Sequence, residues 1–181
     1  MHDTEIIPFN YAKGIKQKKG KLVHFYLDDY QFERVWNTPE KYMKMLSGFD
    51  YVFQPDFSLF IDTPLPIQLY NHFRKQWVAA YWEANGIKVI PTIGWSDESS
   101  FSFCFEGVPP ESIVSVSSVG TQKNNQSKES FLLGYTEMLK RLIPSKILFY
   151  GNIPDGIETN NVVHIEPFWK SIQKRVNNNG R

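Results

Sequence analysis

The chain has a single cysteine, Cys104, among 181 residues. One thiol excludes an intramolecular disulfide, a CxxC redox pair and any zinc or iron–sulfur site built from cysteines. Net charge is equally scarce: 20 Lys+Arg stand against 19 Asp+Glu, a balance of +1. That excludes a strongly basic nucleic-acid clamp or an acidic tail as the dominant feature. No window approaches about 18 consecutive apolar residues, so no membrane span is expected. The start, Met1-His2-Asp3-Thr4-Glu5, lacks the basic and long apolar segments of an export signal. With one free cysteine, this points to the cytoplasm. GxSxG, GxGxxG, HExxH and the P-loop are absent, and Ser117-Ser118-Val119-Gly120 has no lysine after its glycine. The commonest motif-bearing hydrolases, dinucleotide oxidoreductases and zinc proteases are therefore excluded, but enzymes as a class are not. His2, His24, His72 and His164 show no HxxxH or HxH spacing. No metal site is expected, and no motif names a cofactor.

What is present is a core. Apolar residues make up 41% and aromatics 15%, which suits a packed globular domain. At about 150 residues per domain, the length suits one domain. The expected partition is a basic N-terminal arm over residues 1–21, a single α/β domain over 22–176 and a frayed tail over 177–181. Lys13, Lys16, Lys18, Lys19 and Lys21 crowd the arm. Clustered lysines can contact phosphates, but they also make an ordinary solvated arm. Few aromatics accompany them for base stacking.

Beyond the arm, strand-like and helix-like segments alternate. Strands are expected at 22–27, 51–53, 87–93, 101–105, 113–117, 146–150 and 162–165. Their near-continuous apolar runs suit strands covered on both faces. The strongest helix spans 66–85, with Ile67, Tyr70, Phe73, Trp77, Tyr81 and Ala84 at three- or four-residue spacing and read as its inward face. Thr38-Pro39 reads as a helix start, 131–142 as an amphipathic helix, 120–128 as a polar loop and 168–176 as a short helix. The short link before 113 leaves antiparallel pairing open there. The fold class is α/β with a mostly parallel six- to seven-stranded sheet. An incomplete TIM-like barrel is favoured over an open three-layer α/β/α sandwich, because polar groups end every strand rather than one switch point.

Ligands of such folds bind beyond the carboxyl ends of the strands. Three carboxylates there are candidate acid/base groups: Asp28, Asp56 and Glu106; they could instead bind one magnesium ion, a lesser reading because no ligand spacing supports it. Asp29 reads as a helix cap, leaving Asp28 for the site. Pro55 stiffens the turn that carries Asp56. Ser58, Trp95, Ser96, Ser118 and Tyr150 are candidate ligand contacts. Trp95 fits equally a wall stacking on a sugar or base and a lid on the core. Each polar strand end also has an ordinary reading as a turn or cap. His24 and His164 read as packed strand histidines, and Cys104, between Phe103 and Phe105, as a buried small hydrophobe.

Several segments together resemble a known family. They are His24-Phe25-Tyr26-Leu27-Asp28-Asp29 with Phe32 and Trp36, then Gln54-Pro55-Asp56-Phe57-Ser58, then Gly86-Ile87-Lys88-Val89-Ile90-Pro91-Thr92 with Gly94-Trp95, then Cys104-Phe105-Glu106-Gly107. The family consists of uncharacterised proteins of bacteriophages and bacterial mobile elements. The resemblance covers about residues 20 to 155 and leaves the arm outside. It implies a phage or mobile-element origin and a host-cytoplasm setting, and no activity.

Two functions follow as expectations. One is a small enzyme acting on a nucleotide- or sugar-like ligand at the strand ends. The other is a non-catalytic phage protein that binds a host protein or sequesters a small ligand. The residues do not choose between them. Nucleic acid is not expected as the main partner, given the near-neutral charge.

Overall fold

The structure is a computed structural model and describes residues 5–121, 125–168 and 170. It is an α/β protein with two four-stranded sheets, and every strand pair is parallel. The first sheet takes β1 (Glu5–Pro8), β2 (Lys21–His24), β3 (Tyr51–Phe53) and β4 (Val89–Ile90) in that order. The second takes β5 (Thr92–Ile93), β6 (Ile113–Ser117), β7 (Lys146–Tyr150) and β8 (Val162–Ile165). Five α-helices lie between the strands: α1 (Phe9–Ala12), α2 (Arg34–Asn37), α3 (Glu40–Leu46), α4 (Leu65–Ala84) and α5 (Asn125–Leu142). Among the described residues no ladder joins β1 to β8, so no closed barrel forms.

Pro91 divides what is otherwise one strand. Proline has no N–H to donate, and the ladder changes partner across it. β4 pairs with β3 on one side, and β5 pairs with β6 on the other. Gln54 repairs the break. Its side-chain oxygen accepts from the Thr92 N–H at 3.3 Å, and its backbone carbonyl accepts from the Thr92 hydroxyl at 2.9 Å. The two sheets therefore succeed one another through residues 89–93.

Side chains alternate between two faces, as strand geometry requires. Outward residues of the first sheet, Ile7, Val23 and Val52, pack with Val78 and Trp82 of α4. Outward residues of the second, Val114, Val116, Ile147 and Phe149, pack with Phe131, Tyr135 and Met138 of α5. Inward residues of both sheets share one cluster, Leu22, Phe53, Ile90 and Leu148, joined by Ile6, Tyr26 and Val163.

Four expectations change. Residues 5–12 are no free arm: Glu5–Pro8 pairs with β2, and Ile7, Phe9 and Ala12 are buried. Lys21 is ion-paired to Glu5 within the same ladder. Residues 101–105 are no strand. A 3-10 helix runs over Glu98–Ser102, with Asp97 accepting from the Ser99 N–H, and turns follow to Gly107. Among the described residues neither sheet has an antiparallel pair, and the short helix and turns over residues 98–107 serve as the crossover. Finally, the strongest helix faces the other way. α4 buries Gln68, Asn71, His72, Arg74, Lys75, Val78, Ala79 and Trp82. Ile67, Tyr70, Phe73 and Trp77 are exposed. The expected tail helix from 168 and the frayed tail from 177 lie mostly outside the described residues, and so does part of the 120–128 loop, whose described end already belongs to α5.

Candidate functional site

The carboxyl ends of the strands carry an open cleft of about 720 Å3. Asp28, Asp29, Gln31, Asp56, Ser58 and Ser117 supply its polar lining, and Tyr26, Tyr30 and Phe60 its rings. A second cavity of about 340 Å3 adjoins it, sharing Phe60, Ser117 and Gly120. Trp95 and Ser96 line that second space.

Asp56 is the centre. It follows β3 through Gln54-Pro55, and both of those residues are buried. The residue itself is half-buried at the cleft wall. Burial nonetheless pushes its pKa up to about 7, and the neighbouring Asp29 charge adds to the rise. Lys75 opposes the rise. That lysine is 2% exposed and donates from Nζ to the Thr92 carbonyl at 3.0 Å. Burial also lowers the ammonium's own pKa, and the Asp56 charge pulls it back up. Tyr26 stands close by, its hydroxyl paired with Ser115 Oγ at 2.5 Å. Burial and the Asp56 charge together hold the phenol well above its usual range. The site thus holds a carboxyl poised to gain or lose a proton near neutral pH, between an ammonium and a neutral phenol.

Asp29, not Asp28, is the organised member of the Asp pair. Its Oδ1 accepts from Ser58 Oγ at 2.8 Å, and its Oδ2 accepts from the Ser58 N–H at 3.2 Å. Arg74 Nη2 lies 3.8 Å from the same carboxylate, and Nη1 binds Glu33 at 2.5 Å. The guanidinium stacks 3.7 Å over the Phe57 ring, which fixes it. Asp28 is exposed at the start of a 3-10 turn (Asp29–Gln31), and its carboxylate accepts from Gln31 at 3.3 Å.

The other candidates scatter. Glu106 is exposed and lines neither cavity; its carbonyl accepts from Gln76 at 2.9 Å. Trp95 acts as a lid on the core: its Nε1 donates to the Ser130 carbonyl at 3.1 Å, and its ring meets Phe131 and Phe105. Ser96 is buried and donates to Gln68 at 2.7 Å. Ser118 is buried and donates to the Asn152 carbonyl at 2.6 Å. Tyr150 lies beneath the cleft, stacked on Tyr26 with ring centres 4.8 Å apart, its hydroxyl accepting from the Phe168 N–H. Asp28, Asp56 and Ser58 therefore share one cleft, and Trp95 and Ser96 share its neighbour. Among the described residues no group of three His, Cys, Asp or Glu side chains is arranged to hold a metal.

The sequence reading missed the support beneath the site. Asn71 donates to the Ser58 carbonyl at 2.7 Å, and Gln68 to the Thr63 carbonyl at 2.7 Å. With Arg74 and Lys75 they form a polar stripe on α4 that braces the segments carrying Asp29, Ser58 and Thr92. The signal was Gln68, Asn71 and Lys75 at three- and four-residue spacing, opposite the aromatic stripe. Of the two strand histidines expected to be packed, His24 is: burial holds its pKa down to about 3, and Nδ1 accepts from the Tyr26 N–H at 3.1 Å; His164 is instead exposed, with Nε2 2.7 Å from the Gly151 carbonyl oxygen. Cys104 is likewise buried, its thiol pushed up to about 11.

Fold and cleft together define an all-parallel α/β protein with a carboxylate-lined opening at its strand ends. None of the described helices is long and apolar enough to cross a membrane. The chain belongs to the family described as Domain of unknown function (DUF4417), which matches residues 1–168. The match includes the segment that the sequence reading left outside its resemblance. The Gene 1 protein of Mycobacterium phage L5 is 37% identical over 166 residues, covering 91% of this chain and 72% of the phage protein. The Gene 1 protein of Mycobacterium phage D29 is 35% identical over 185 residues, covering 97% of this chain and 68% of its own length. The chain is thus phage-related, and the name Gene 1 protein carries no activity. No solved structure matches.

Proposed function

We propose that this chain is a small enzyme that moves a proton on a nucleoside- or sugar-like ligand held in the Asp56 cleft. One observation carries the reading: a carboxyl with pKa about 7 lines an open cleft. A group titrating near the working pH serves as acid and base in one cycle. The lining suggests the ligand class. Tyr30 is 80% exposed and Phe60 62% exposed, so each offers a ring face to a flat or pyranose surface. Asp28 and Asp29 offer acceptors to hydroxyls. The described lining holds three carboxylates and no cation, which favours the hydroxyl-rich half of a nucleotide over its phosphate. Asp56 acts on the ligand, Lys75 and Tyr26 tune its proton, and Asp29 with Ser58 sets the loop.

We also infer that the two sheets are successive arcs of one incomplete barrel. Seven strand runs follow chain order without reversal, residues 89–93 belong to both sheets, and inward side chains of both share a cluster. A doubly wound sandwich needs a reversal of strand order, so the sequential order supports the barrel reading.

The test is thermal shift of wild type and Asp56→Asn against a panel of nucleosides, monosaccharides and nucleotides. A ligand of the folded state raises the midpoint by mass action. The enzyme reading expects a shift with a neutral nucleoside or sugar, and chemical turnover of that ligand that Asn abolishes. Binding without turnover, equal in both proteins, would support the alternative of a non-catalytic protein that sequesters the ligand.

A further inference from the structure

The outer face of α4 is independent of the cleft. Every exposed residue on it from Leu65 to Ala80 is apolar or aromatic. Its two cations, Arg74 and Lys75, point inward and are buried. Pro66, Tyr70, Phe73, Trp77, Ala80 and Ala84 are all exposed and follow at spacings of four, three, four, three and four. That is the 3.5-residue repeat of a coiled-coil seam, here without a partner.

The seam is a palindrome about Lys75. Laid antiparallel on its own copy, it sets Pro66 against Ala84, Tyr70 against Ala80 and Phe73 against Trp77. Large residues meet small ones toward the ends, and rings meet at the centre. A two-fold interface must be self-complementary in this way. No charge lies on the seam to repel a second copy, and no cation to select nucleic acid or anionic lipid. Trp36 of α2 stands edge-on to Tyr70, Phe73 and Trp77, with ring centres 5.6 to 6.0 Å away. It walls one flank and holds the rings, leaving the other flank open.

The area suits a dimer. Tyr70, Phe73 and Trp77 are 45%, 53% and 42% exposed. Rings of roughly 150–250 Å2 each then leave roughly 300 Å2 uncovered. Leu65, Ile67 and Leu69 extend the patch to roughly 600 Å2, the upper end of what a monomer leaves open and close to the roughly 800 Å2 each partner gives a standard interface.

We propose that α4 is a two-fold dimer interface, in which two copies of this chain pair their α4 helices antiparallel across Tyr70, Phe73 and Trp77. Sedimentation velocity of the full chain from about 1 to 100 µM should show a dimer, the strength expected of a standard interface. Phe73→Asp, and separately Ala80→Glu at a small exposed position, should each raise the dimer Kd by roughly a hundredfold. Both should keep the wild-type circular dichroism spectrum. Register has its own readout. Tyr70→Cys mixed with Ala80→Cys should cross-link on oxidation, while Tyr70→Cys alone should not; Cys104 is buried and does not compete. A chain that stays monomeric throughout, a dimer indifferent to both charged variants, or cross-linking of Tyr70→Cys to itself would each overturn the proposal.

Discussion

Replacing Asp56 by Asn keeps the shape of the side chain and removes its proton equilibrium. The folded chain raises the Asp56 pKa from 3.8 to about 7, so the fold prefers the neutral carboxyl. That preference stabilises fully below the unfolded value near 4 and is lost as pH climbs through 7. A shift of this size corresponds to about 4 kcal/mol at full strength. Partial exposure screens it. A net effect of about 1–3 kcal/mol remains. Urea unfolding of both proteins at pH 4 to 8 measures it directly. The Asn variant should be the more stable by about 1–3 kcal/mol at pH 8, and the gap should close as pH falls toward 4. A gap that is constant across this range, or a wild type that is the more stable at pH 8, would refute the reasoning and return Asp56 to an ordinary carboxylate.

Arg74→Met strands Asp29 and Glu33 without their buried partner. It should cost about 2–4 kcal/mol in urea unfolding. Gly134→Ala sets a Cβ 2.1 Å from Trp95 Nε1, so it should cost about 1–3 kcal/mol and change the tryptophan emission. His24 is held neutral, its pKa about 3 against 6.5 unfolded, by burial. It stabilises above pH 6.5 and loses that contribution as pH falls toward 3. His24→Phe should therefore reduce the acid loss of stability by one proton, about 1.4 kcal/mol per pH unit between pH 6 and 4. Identical acid slopes for the two proteins would contradict this.

The parallel strands were legible because both of their faces are buried, so apolar runs such as Ile147-Leu148-Phe149 mark them directly. β1 was hidden by its four-residue length and by the lysines that follow it. Residues 101–105 alternate like a strand, yet Phe103, Cys104 and Phe105 are all buried in a sequence of tight turns. Alternation of aromatics therefore says little without length. α4 is the instructive case. Periodicity locates a stripe but not the direction in which it points. Burying Gln68, Asn71, Arg74 and Lys75 is costly unless each finds partners. Those partners are mostly far off in sequence: backbone carbonyls at Ser58 and Thr92, the Ser96 hydroxyl, and the carboxylates of Asp29 and Glu33. No local rule could supply them. At the site, Asp56 was legible from its place after β3 and Pro55. The choice between Asp28 and Asp29 was not, because it turns on Ser58 and Arg74.

The central claim is that a small hydroxyl-rich ligand binds where Asp56 opens to solvent. Titrating the 15N-labelled chain with nucleosides and monosaccharides tests it most directly. The account predicts saturable shifts at the amides of Asp29, Tyr30, Ser58, Ser117 and Gly120, with Asp56→Asn weakening them and the outer face of α4 silent. Saturable binding that leaves those amides unmoved, or no binding by any member of the panel, would contradict it.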